Sequence, residues 1–329
     1  MTVRFIQYGL GPIGCSICRL ALDRGFELVG AIDVDPEKAG RDVGEVIGLD
    51  KPTGVIVSDN PQQTLSKKAD VVLHSTSSSL EKIKDQILDS IRSGKNFVST
   101  SEELSFPLDI EIRNEIDDAA KENKVSVLGT GVNPGFVLDK LILVMTGVCH
   151  DIQKVTAKRI VDASKRRPQL QQKIGAGLTV EEFMEGVKIR AIKHVGLPES
   201  VSMIASGTGH EIDRIEESIE PVIAQQDGSS DFIKVRRGDV LGIKQTCTGT
   251  RHGKPFIELE LQMYLGAESP GDYIRIEGKP PIELDIPGGI HGDLATSAMV
   301  INAVPSVIKA EPGLLTMKDI PVSIFRKTD

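Results

Sequence analysis

The chain has 329 residues, 40% of them hydrophobic, which is enough for two globular domains with cores of their own. A formal net charge of -8 argues against nucleic acid or an anionic membrane as a partner. No apolar run reaches the roughly 18–20 residues that a membrane helix needs. With four cysteines, too few for a disulfide framework at this length, and no secretion pattern, we expect a cytoplasmic protein.

Apolar strands and amphipathic helices alternate over the first 135 residues. Strands are predicted at 3–8, 26–33, 70–76, 96–100 and 125–128, and helices at 13–24, between Ser78 and Gly94, and near 109–123. The strand at 70–76 shows no alternation of apolar and polar residues, which is typical of burial on both faces of a parallel sheet. In the helix after it, Ser78 and Glu81 have the spacing of a capping box. The alternation predicts a doubly wound α/β domain.

The pattern changes near residue 136, where strands become longer and alternate, as in an antiparallel sheet with one solvated face. Such strands are predicted within 154–164, 231–250, 255–265 and 273–278. Thr179 and Glu182 have capping-box spacing at the start of a helix. We therefore predict an α+β domain for substrate binding and dimerisation at 136–290, with a largely antiparallel open sheet. A C-terminal helix within about 291–329 is expected to pack back on the domain at 1–135.

A glycine-rich turn follows the first strand and opens the first helix. Gly9 permits the tight turn, Gly11 lets the backbone approach a pyrophosphate, and Gly14 lets helix and strand pack closely. The helix N-terminus then offers unpaired N–H groups to the phosphate. Asp33 ends the second strand, where an acid binds ribose hydroxyls in a Rossmann domain. The predicted cofactor contacts in this region are Gly9, Gly11, Pro12, Ile13, Gly14 and Asp33.

The residues around Asp33 leave the choice between NAD and NADP open. The carboxylate favours NAD, since it would repel a 2′-phosphate, but Lys38 and Arg41 are near enough in sequence to accept that phosphate. Cys15 and Cys18 form a C-x-x-C pattern on the same helix. We interpret them as packing residues, because buried cysteines are usually inert.

Ligands of a doubly wound sheet collect at the carboxyl ends of its strands, and two of the later strand ends are suited to a cofactor. The segment 75–79 is small and polar, and its Ser75, Thr76 and Ser77 are predicted to line ribose and nicotinamide. The segment 129–135 contains three glycines and a proline, so its backbone can approach a ligand closely. Asn133 in that segment is a candidate for bonding the nicotinamide carboxamide or the substrate.

A third strand end carries two adjacent carboxylates, Glu102 and Glu103. Hydride transfer from an alcohol or amine needs a proton acceptor beside the reacting carbon, and a carboxylate can serve. Adjacent side chains point in different directions, so we expect only one of the two to enter the pocket. The alternative is a pair of solvated acids at a helix start, where the helix dipole favours negative charge. Position alone does not decide between these interpretations.

Segments from most of the chain form a distinctive combination: GLGPIG, GAIDVDPEKAGRDVGEVIG, STSEELSFP, GTGVNPGF, DASKRRPQLQQKIGAG and HVGLPES. Together they resemble the NAD(P)-dependent amine dehydrogenases typified by 2,4-diaminopentanoate dehydrogenase, whose fold is related to that of dihydrodipicolinate reductase. The resemblance implies oxidative deamination of an amine carbon to a ketone with release of ammonia, reversible as reductive amination. The expected partners are a small-molecule amine or ketone and ammonia.

The resemblance also implies roles for individual residues. It assigns the catalytic glutamate to Glu103, with Glu102 as the alternative, and the carboxylate would activate water to attack the iminium carbon. Phe136 and the loop 173–177 would shape the substrate pocket. His194 is a candidate for bonding a polar group of the substrate, although a single histidine is more often structural.

Arg166 and Arg167 decide between two substrate classes. A diamino acid needs its carboxylate clamped, and arginine does this with two parallel hydrogen bonds. A run of charges is also typical of a solvated face. A clamp favours 2,4-diaminopentanoate, whereas its absence favours simple amines and ketones.

Three other functions compete with amine oxidation. A dihydrodipicolinate reductase-like enzyme acting on another imine lacks support, because the paired histidines followed by lysine of that reductase are missing. A sugar dehydrogenase would carry Glu-Lys-Pro where this chain reads SEELSFP. A non-catalytic dinucleotide sensor would keep the glycine loop without needing Glu102 or Glu103. We also expect no metal site, and a homodimer, because broad open sheets often bury one face between two subunits.

Overall fold

The computed structural model describes residues 2–325, and its contacts divide the chain into two compact units. The first unit contains the residues up to Phe136 and those from His291 onwards, and the second contains Val137–Ile290. The C-terminal segment predicted at about 291–329 includes residues 326–329, which lie outside the described residues. Within residues 2–325, no helix combines the length and apolar character that crossing a membrane requires.

A seven-stranded sheet, parallel throughout, forms the centre of the first unit. Six of its strands are β1 (Arg4–Tyr8), β2 (Glu27–Ile32), β3 (Val57–Ser58), β4 (Val71–His74), β5 (Asn96–Ser99) and β6 (Ser126–Gly129). They lie in the order β6-β5-β4-β1-β2-β3, and a seventh strand adds beyond β6. All four residues of β4 are buried, which confirms the prediction drawn from its lack of alternation.

Five helices connect these strands: α1 (Pro12–Asp23), α2 (Val43–Ile47), α3 (Pro61–Leu65), α4 (Leu80–Arg92) and α5 (Ile110–Glu122). In α4, one helical face carries Ile83, Ile87 and Ile91, which are fully buried in the same core cluster as Val72 and Phe97 of the sheet. Burial of each such side chain contributes roughly 1.5–3 kcal/mol. This face holds α4 against the sheet.

The predicted capping box at the start of α4 is wrong. Ser79 is the N-cap residue, and its side chain makes no capping hydrogen bond. The Leu80 N–H instead donates to Oε2 of Glu103, at 2.7 Å. A carboxylate brought by the fold from 23 residues away thus replaces the local cap, which spacing in the sequence could not reveal.

The second unit contains four helices and a six-stranded sheet beside a small hairpin. Its helices are α6 (Lys140–Thr146), α7 (Pro168–Lys173), α8 (Val180–Lys188) and α9 (Leu197–Thr208). Its strands are β7 (Asp151–Asp162), β8 (Arg214–Ile223), β9 (Gly228–Ser229), β10 (Lys234–Val235), β11 (Val240–Arg251), β12 (Lys254–Tyr264), β13 (Gly271–Lys279) and β14 (Ile282–Pro287). The capping box of Thr179 and Glu182 at the start of α8 is confirmed.

The large sheet has the order β14-β13-β7-β12-β11-β8, and every pair except β7 with β12 is antiparallel. This confirms the largely antiparallel prediction and adds one parallel pair. Alternate residues of β12 face the helices and are buried, among them Leu259 and Leu261. The residues between them, such as Glu258 and Glu260, lie on the other face of the sheet, which is polar.

The last part of the chain belongs to the first unit. There α10 (Gly292–Val307) packs against α1, and the Ser16 hydroxyl donates to Oγ of Ser297 at 3.1 Å. The seventh strand, β15 (Gly313–Leu315), pairs in parallel with β6 and completes the sheet. A strand of three residues carries too little periodicity to be recognised in sequence.

Candidate active site

The glycine loop has the geometry of a phosphate cradle. Gly9 has φ of 90°, and a Cβ there would lie 2.7 Å from the Ser75 carbonyl oxygen. A Cβ on Gly14 would collide with the Gly9 carbonyl, so α1 packs against the loop only because position 14 is glycine. A Cβ on Gly11 would meet no atom within 4 Å, so its backbone faces open space at the start of α1, where Pro12 and Ile13 form the first turn. The residues present fit a pyrophosphate.

Asp33 is fixed beside this loop. Its Oδ2 accepts the Leu10 N–H at 2.7 Å, and its Oδ1 accepts the Asp35 N–H at 2.9 Å. The Lys38 ammonium lies 3.4 Å from Asp33 Oδ2 and 3.0 Å from Asp35 Oδ2. Although partial burial lowers the pKa of Lys38, its bonds to these two acids raise that pKa overall. The predicted ribose acid therefore has a cation next to it, and this pair suits either NAD or NADP.

The segment after β4 is tied to the glycine loop. Ser75 donates its N–H to the Tyr8 carbonyl at 2.8 Å and its hydroxyl to the Gly9 carbonyl at 3.1 Å. The Thr76 hydroxyl donates to Oε1 of Gln86 at 2.8 Å, and the Ser77 hydroxyl oxygen accepts the Ser79 N–H at 3.2 Å. The structure thus brings Ser75 against the glycine loop, and these hydroxyl groups hold the protein backbone and α4 in place. The predicted contacts of Ser75, Thr76 and Ser77 with the cofactor stay predictions.

The two glutamates lie at the carboxyl end of β5, and both are half-buried. Glu103 begins a short 3-10 turn, Glu103–Ser105, and caps α4 through its bond to Leu80. The Ser101 hydroxyl donates to the Ser78 carbonyl at 3.0 Å, so the loop after β5 is attached to the segment after β4. The structure therefore places Glu103 beside the predicted cofactor segment, with its carboxyl group at the N-terminus of α4.

Asn133 has an unpaired amide. The residue is 8% exposed, and neither its Oδ1 nor its Nδ2 has a hydrogen-bond partner within residues 2–325. Leaving a buried amide unsatisfied costs about 1–3 kcal/mol, so an unpaired amide at a strand end is a candidate for binding a ligand. A nicotinamide carboxamide offers the matching donor and acceptor, which supports the prediction for this residue. Phe136, at the end of the first unit, is half-buried.

In the second unit, the main-chain N–H and carbonyl of His194 form the hydrogen bonds that fix the residue, and its ring Nδ1 forms none among the described residues. Its N–H donates to Oε1 of Gln245 at 2.9 Å, and its carbonyl accepts from Nε2 of Gln245 at 2.7 Å. The ring atom Nδ1 is buried without a partner among the described residues. Burial, aided by the charges of Lys173 and nearby cations, lowers the pKa of His194 to about 3. The ring is therefore neutral and has an unused polar atom.

The two predicted clamp arginines precede α7. Nε of Arg167 is buried and makes no hydrogen bond within the part of the chain that is described. The loop that carries both arginines is organised by Gln171, whose Nε2 donates to the carbonyls of Ala163, Ser164 and Arg166 at 2.9–3.2 Å. Gln171 is fully buried and was not predicted, because nothing in the sequence separates it from its neighbour Gln172.

The inner face of the second sheet carries a charged pair that the sequence analysis also missed. Arg159 on β7 donates to Oδ1 of Asp272 on β13 at 2.6 Å, and the two side chains are 4% and 1% exposed. Arg159 also donates to the Ile290 carbonyl at 2.5 Å. Leu261 aligns with both Arg159 and Gln245 in the strand register, so this pair lies in the same row as the support of His194. Arg159 lies at an alternate position of β7 with the buried Val155 and Ala157, so the three side chains share one face of the sheet. This spacing was the sequence signal that Arg159 is buried.

Two further predictions concern reactive groups. Burial raises the pKa of the Cys18 thiol to about 12 and also raises that of Cys15. Both thiols are therefore protonated near neutral pH, which agrees with a packing role. Within residues 2–325, no group of three or more His, Cys, Asp or Glu side chains is arranged to hold a metal ion.

The fold and these groups define a two-unit oxidoreductase with a dinucleotide-binding parallel sheet. The family model for the dihydrodipicolinate reductase N-terminus matches residues 4–128. The family model for the 2,4-diaminopentanoate dehydrogenase C-terminal domain matches residues 136–327. The chain belongs to the 2,4-diaminopentanoate dehydrogenase family, which confirms the resemblance drawn from the sequence motifs.

Individual relatives agree with this assignment. A 2,4-diaminopentanoate dehydrogenase from Acetoanaerobium sticklandii is 35% identical, over 97% of this chain and 94% of the relative. An amine dehydrogenase from Streptomyces virginiae is 24% identical over 96% of each chain. The solved structure of an amine dehydrogenase from Mycobacterium smegmatis superposes with a TM-score of 0.89 at 27% identity, covering 100% of this chain and 99% of the other. The predicted fold class is confirmed.

Proposed function

We propose that the protein is an NAD(P)-dependent amine dehydrogenase that converts an amine carbon to a ketone with release of ammonia, and that it runs in reverse as a reductive aminase. The observation that carries the proposal is Glu103, a carboxylate fixed against the segment after β4 by its 2.7 Å bond from Leu80. The names of the relatives from Acetoanaerobium sticklandii and Streptomyces virginiae support the same activity.

The chemistry needs one proton-transferring group from the protein. A bound nicotinamide would supply the hydride acceptor for the amine carbon, so that the substrate would become an iminium ion. Glu103 then takes a proton from water as the water oxygen attacks the iminium carbon. The carboxyl group returns that proton to the nitrogen of the neutral carbinolamine. As the carbon–nitrogen bond breaks, the carboxylate takes the hydroxyl proton and passes it to the departing ammonia, so the products are ketone and ammonium. Glu102 is the alternative acceptor, one position earlier on the same loop.

The bond from Leu80 prepares Glu103 for this role. One carboxylate oxygen, Oε2, is occupied by the helix N–H, which fixes the orientation of the group. Oε1 is the oxygen assigned to water. Asn133 supplies the donor and acceptor that would orient the nicotinamide carboxamide, because both of its amide atoms lack partners within residues 2–325.

We infer that the substrate carries a carboxylate, as 2,4-diaminopentanoate does. In the second unit, Arg167 has a buried Nε that makes no hydrogen bond among the described residues. The neutral ring of His194 offers a further polar atom for an amine or carboxylate of the substrate. A cytoplasmic location and a homodimer belong to the same proposal and remain predictions.

The test is formation of the reduced cofactor, followed by absorbance at alkaline pH. Separate reactions contain 2,4-diaminopentanoate, ornithine or simple aliphatic amines, each with NAD and then with NADP. Turnover of the diamino acid alone supports the full proposal, and turnover of simple amines retains the reaction while removing the carboxylate clamp. Cofactor binding without turnover of any amine would instead favour the non-catalytic sensor.

A further inference from the structure

A buried polar cluster lies beneath the carboxyl ends of β4 and β5, and the proposed chemistry does not use it. Its centre is His74, the last residue of β4, which is fully buried. The side chains around its ring nitrogens belong to Thr76, Gln86 and Ser99. A histidine that is fully buried in the middle of a parallel sheet requires a partner for each ring nitrogen.

The hydrogen bonds of the cluster form a chain in which each group donates to the next, from Ser101 through Ser99 and His74 to Gln86. Nε2 of His74 lies 2.7 Å from Oε1 of Gln86 and 2.8 Å from Oγ1 of Thr76. Because a carbonyl oxygen only accepts, Nε2 carries the proton. Nδ1 is then the acceptor, and it receives the hydroxyl of Ser99 at 2.8 Å. The Ser99 oxygen in turn accepts the Ser101 N–H at 3.0 Å.

Aromatic neighbours hold the ring of His74 in this orientation. The Tyr8 ring meets it edge-on with centroids 5.4 Å apart, and the Phe97 ring lies at 4.9 Å. Burial lowers the pKa of His74 to about 4, although the bond to Gln86 opposes this shift. The imidazole is therefore neutral, and its ring cannot rotate. Each of its two nitrogens is held at a fixed position in the first unit.

Each ring nitrogen of His74 is attached to a different functional segment. Through Nε2, His74 holds Thr76, which lies in the segment 75–79 beside the glycine loop. Through Nδ1 and Ser99, it holds Ser101, which directly precedes Glu102 and Glu103. The segment 75–79 carries predicted cofactor contacts, and the segment 99–105 carries the predicted proton acceptor.

We propose that His74 is a positioning residue whose two ring nitrogens set the distance between the cofactor segment 75–79 and the glutamate segment 99–105. The roles of the two segments rest on the proposed function, but their attachment to His74 does not. Imidazole suits this task because its nitrogens point in two directions from one rigid ring. An asparagine or glutamine amide at position 74 reaches only one of the two partners.

The two amides therefore separate the two attachments. In His74→Asn, the amide oxygen takes the place of Nδ1 and keeps the bond from Ser99, whereas the bonds to Gln86 and Thr76 are lost. In His74→Gln, the longer side chain reaches Gln86 and Thr76, whereas the bond from Ser99 is lost. Ile87→Ala is the matched control, because it destabilises the same core without touching the polar cluster.

Three measurements are made on each variant: the Kd of the reduced cofactor by fluorescence, kcat at saturating cofactor, and amide hydrogen exchange. We expect His74→Asn to raise Kd at least tenfold and to speed exchange in 75–79, with a smaller change in kcat. We expect His74→Gln to lower kcat at least tenfold and to speed exchange in 99–105, with a smaller change in Kd. Ile87→Ala should change neither Kd nor kcat at a temperature where it is folded.

The inference is overturned if both histidine variants change Kd, kcat and exchange together, in proportion to their loss of Tm. It is also overturned if both behave like Ile87→Ala. Failure of the proposed function is a separate result, seen when the unmodified protein binds cofactor but oxidises no amine. Exchange in 75–79 and 99–105 still decides the role of His74 in that case.

Discussion

Glu103 has two roles, a structural one and a proposed chemical one, that a single substitution can separate. Glu103→Gln keeps an oxygen that accepts the Leu80 N–H and so preserves the cap of α4, but the amide cannot take a proton from water. We expect kcat to fall by a factor of about 10²–10⁴, the range for loss of a general base, with cofactor Kd unchanged. Steady-state kinetics and fluorescence titration measure the two quantities.

Glu102→Gln is the matched control for this substitution, since it changes the neighbouring carboxylate in the same way. It should keep most of the turnover. If Glu102→Gln is inactive while Glu103→Gln turns over normally, the proton acceptor is Glu102 and Glu103 serves only as the cap of α4.

Substitution of Arg167 tests whether the substrate carries a carboxylate, as a diamino acid does. Loss of a charge-assisted, two-point contact with a carboxylate costs about 1.5–3 kcal/mol, which is a factor of roughly 10–150 in KM. We therefore expect Arg167→Ala to raise KM for 2,4-diaminopentanoate by this factor and to leave KM for simple amines unchanged. The measurement is the ratio of KM values for the two substrates in each variant.

Lys165→Ala is the control, because Lys165 is exposed in the same charged run. An equal rise in KM for both substrates with Arg167→Ala would show that the arginine supports the loop and does not bind a carboxylate.

At the scale of single residues, sequence spacing predicts the local parts of the candidate site. The glycine loop, Asp33 and the two glutamates follow from short patterns at strand ends. His74 and Gln171 could not be found in this way, because each acts through partners from other parts of the chain or through main-chain atoms. For Arg159, alternation along β7 indicates burial but does not identify the partner. The pairing of Arg159 with Asp272, for example, spans 113 positions.

Among the elements, α3 and α4 share a single charged cap at their C-termini. Lys95 is 4% exposed, and its ammonium donates to the Leu65 carbonyl at 2.6 Å and to the Ser93 carbonyl at 3.0 Å. Positive charge is favourable at both helix ends. Lys95→Met leaves these carbonyls without that donor, so we expect the free energy of unfolding to fall by about 1–3 kcal/mol, measured by urea denaturation.

The control for this prediction is Lys84→Met on the same helix, α4. Lys84 forms an exposed pair with Glu115, and such pairs contribute little, so its loss should leave the urea midpoint nearly unchanged. Equal midpoints for the Lys95 and Lys84 variants would contradict the role given to the buried lysine.

Elements with strong periodicity were predictable and those set by pairing were not. The buried strand β4, the amphipathic helix α4 and the capping box of α8 all follow from composition and spacing. The parallel pairing of β7 with β12 leaves no local mark, because residue alternation is the same for either strand direction. The cap of α4 also failed as a local prediction, since the capping carboxyl group comes from another loop.

For the whole molecule, the neutral His74 makes stability depend on pH. The pKa of His74 is about 4 in the folded protein, below the ordinary value of 6.5. Between these two pH values the unfolded chain binds a proton at His74 that the folded chain does not bind. Stability is therefore complete above pH 6.5 and falls as the pH drops towards 4. Between pH 6.5 and 5 the expected loss from His74 is about 1.6 kcal/mol, because the slope reaches 1.36 kcal/mol per pH unit only where the unfolded imidazole is fully protonated.

The measurement is the difference in unfolding free energy between the two pH values, for the unmodified protein and for His74→Gln. The glutamine variant should lose less stability over this interval, because its side chain does not titrate. The same acid loss in both proteins would place the responsible group elsewhere.

The outer face of the second sheet bears on the state of association. On this face Lys158 pairs with Glu260 at 3.0 Å, Lys244 lies 3.7 Å from the same carboxylate, and Lys154 pairs with Glu258. Opposite charges alternate across neighbouring strands, so a second copy related by a two-fold axis can meet the face with complementary charges. We therefore expect a dimer of twice the 35.6 kDa chain mass, held through this face.

Light scattering after size-exclusion chromatography measures the mass. The substitution Lys158→Glu places like charges beside Glu260 on both copies and should shift the protein to monomer at micromolar concentration. Arg113→Glu is the control, because it reverses an exposed charge on α5 in the first unit. A dimer that persists in Lys158→Glu as it does in Arg113→Glu would assign the association to another surface, since the substitution adds like charges to this face on both copies.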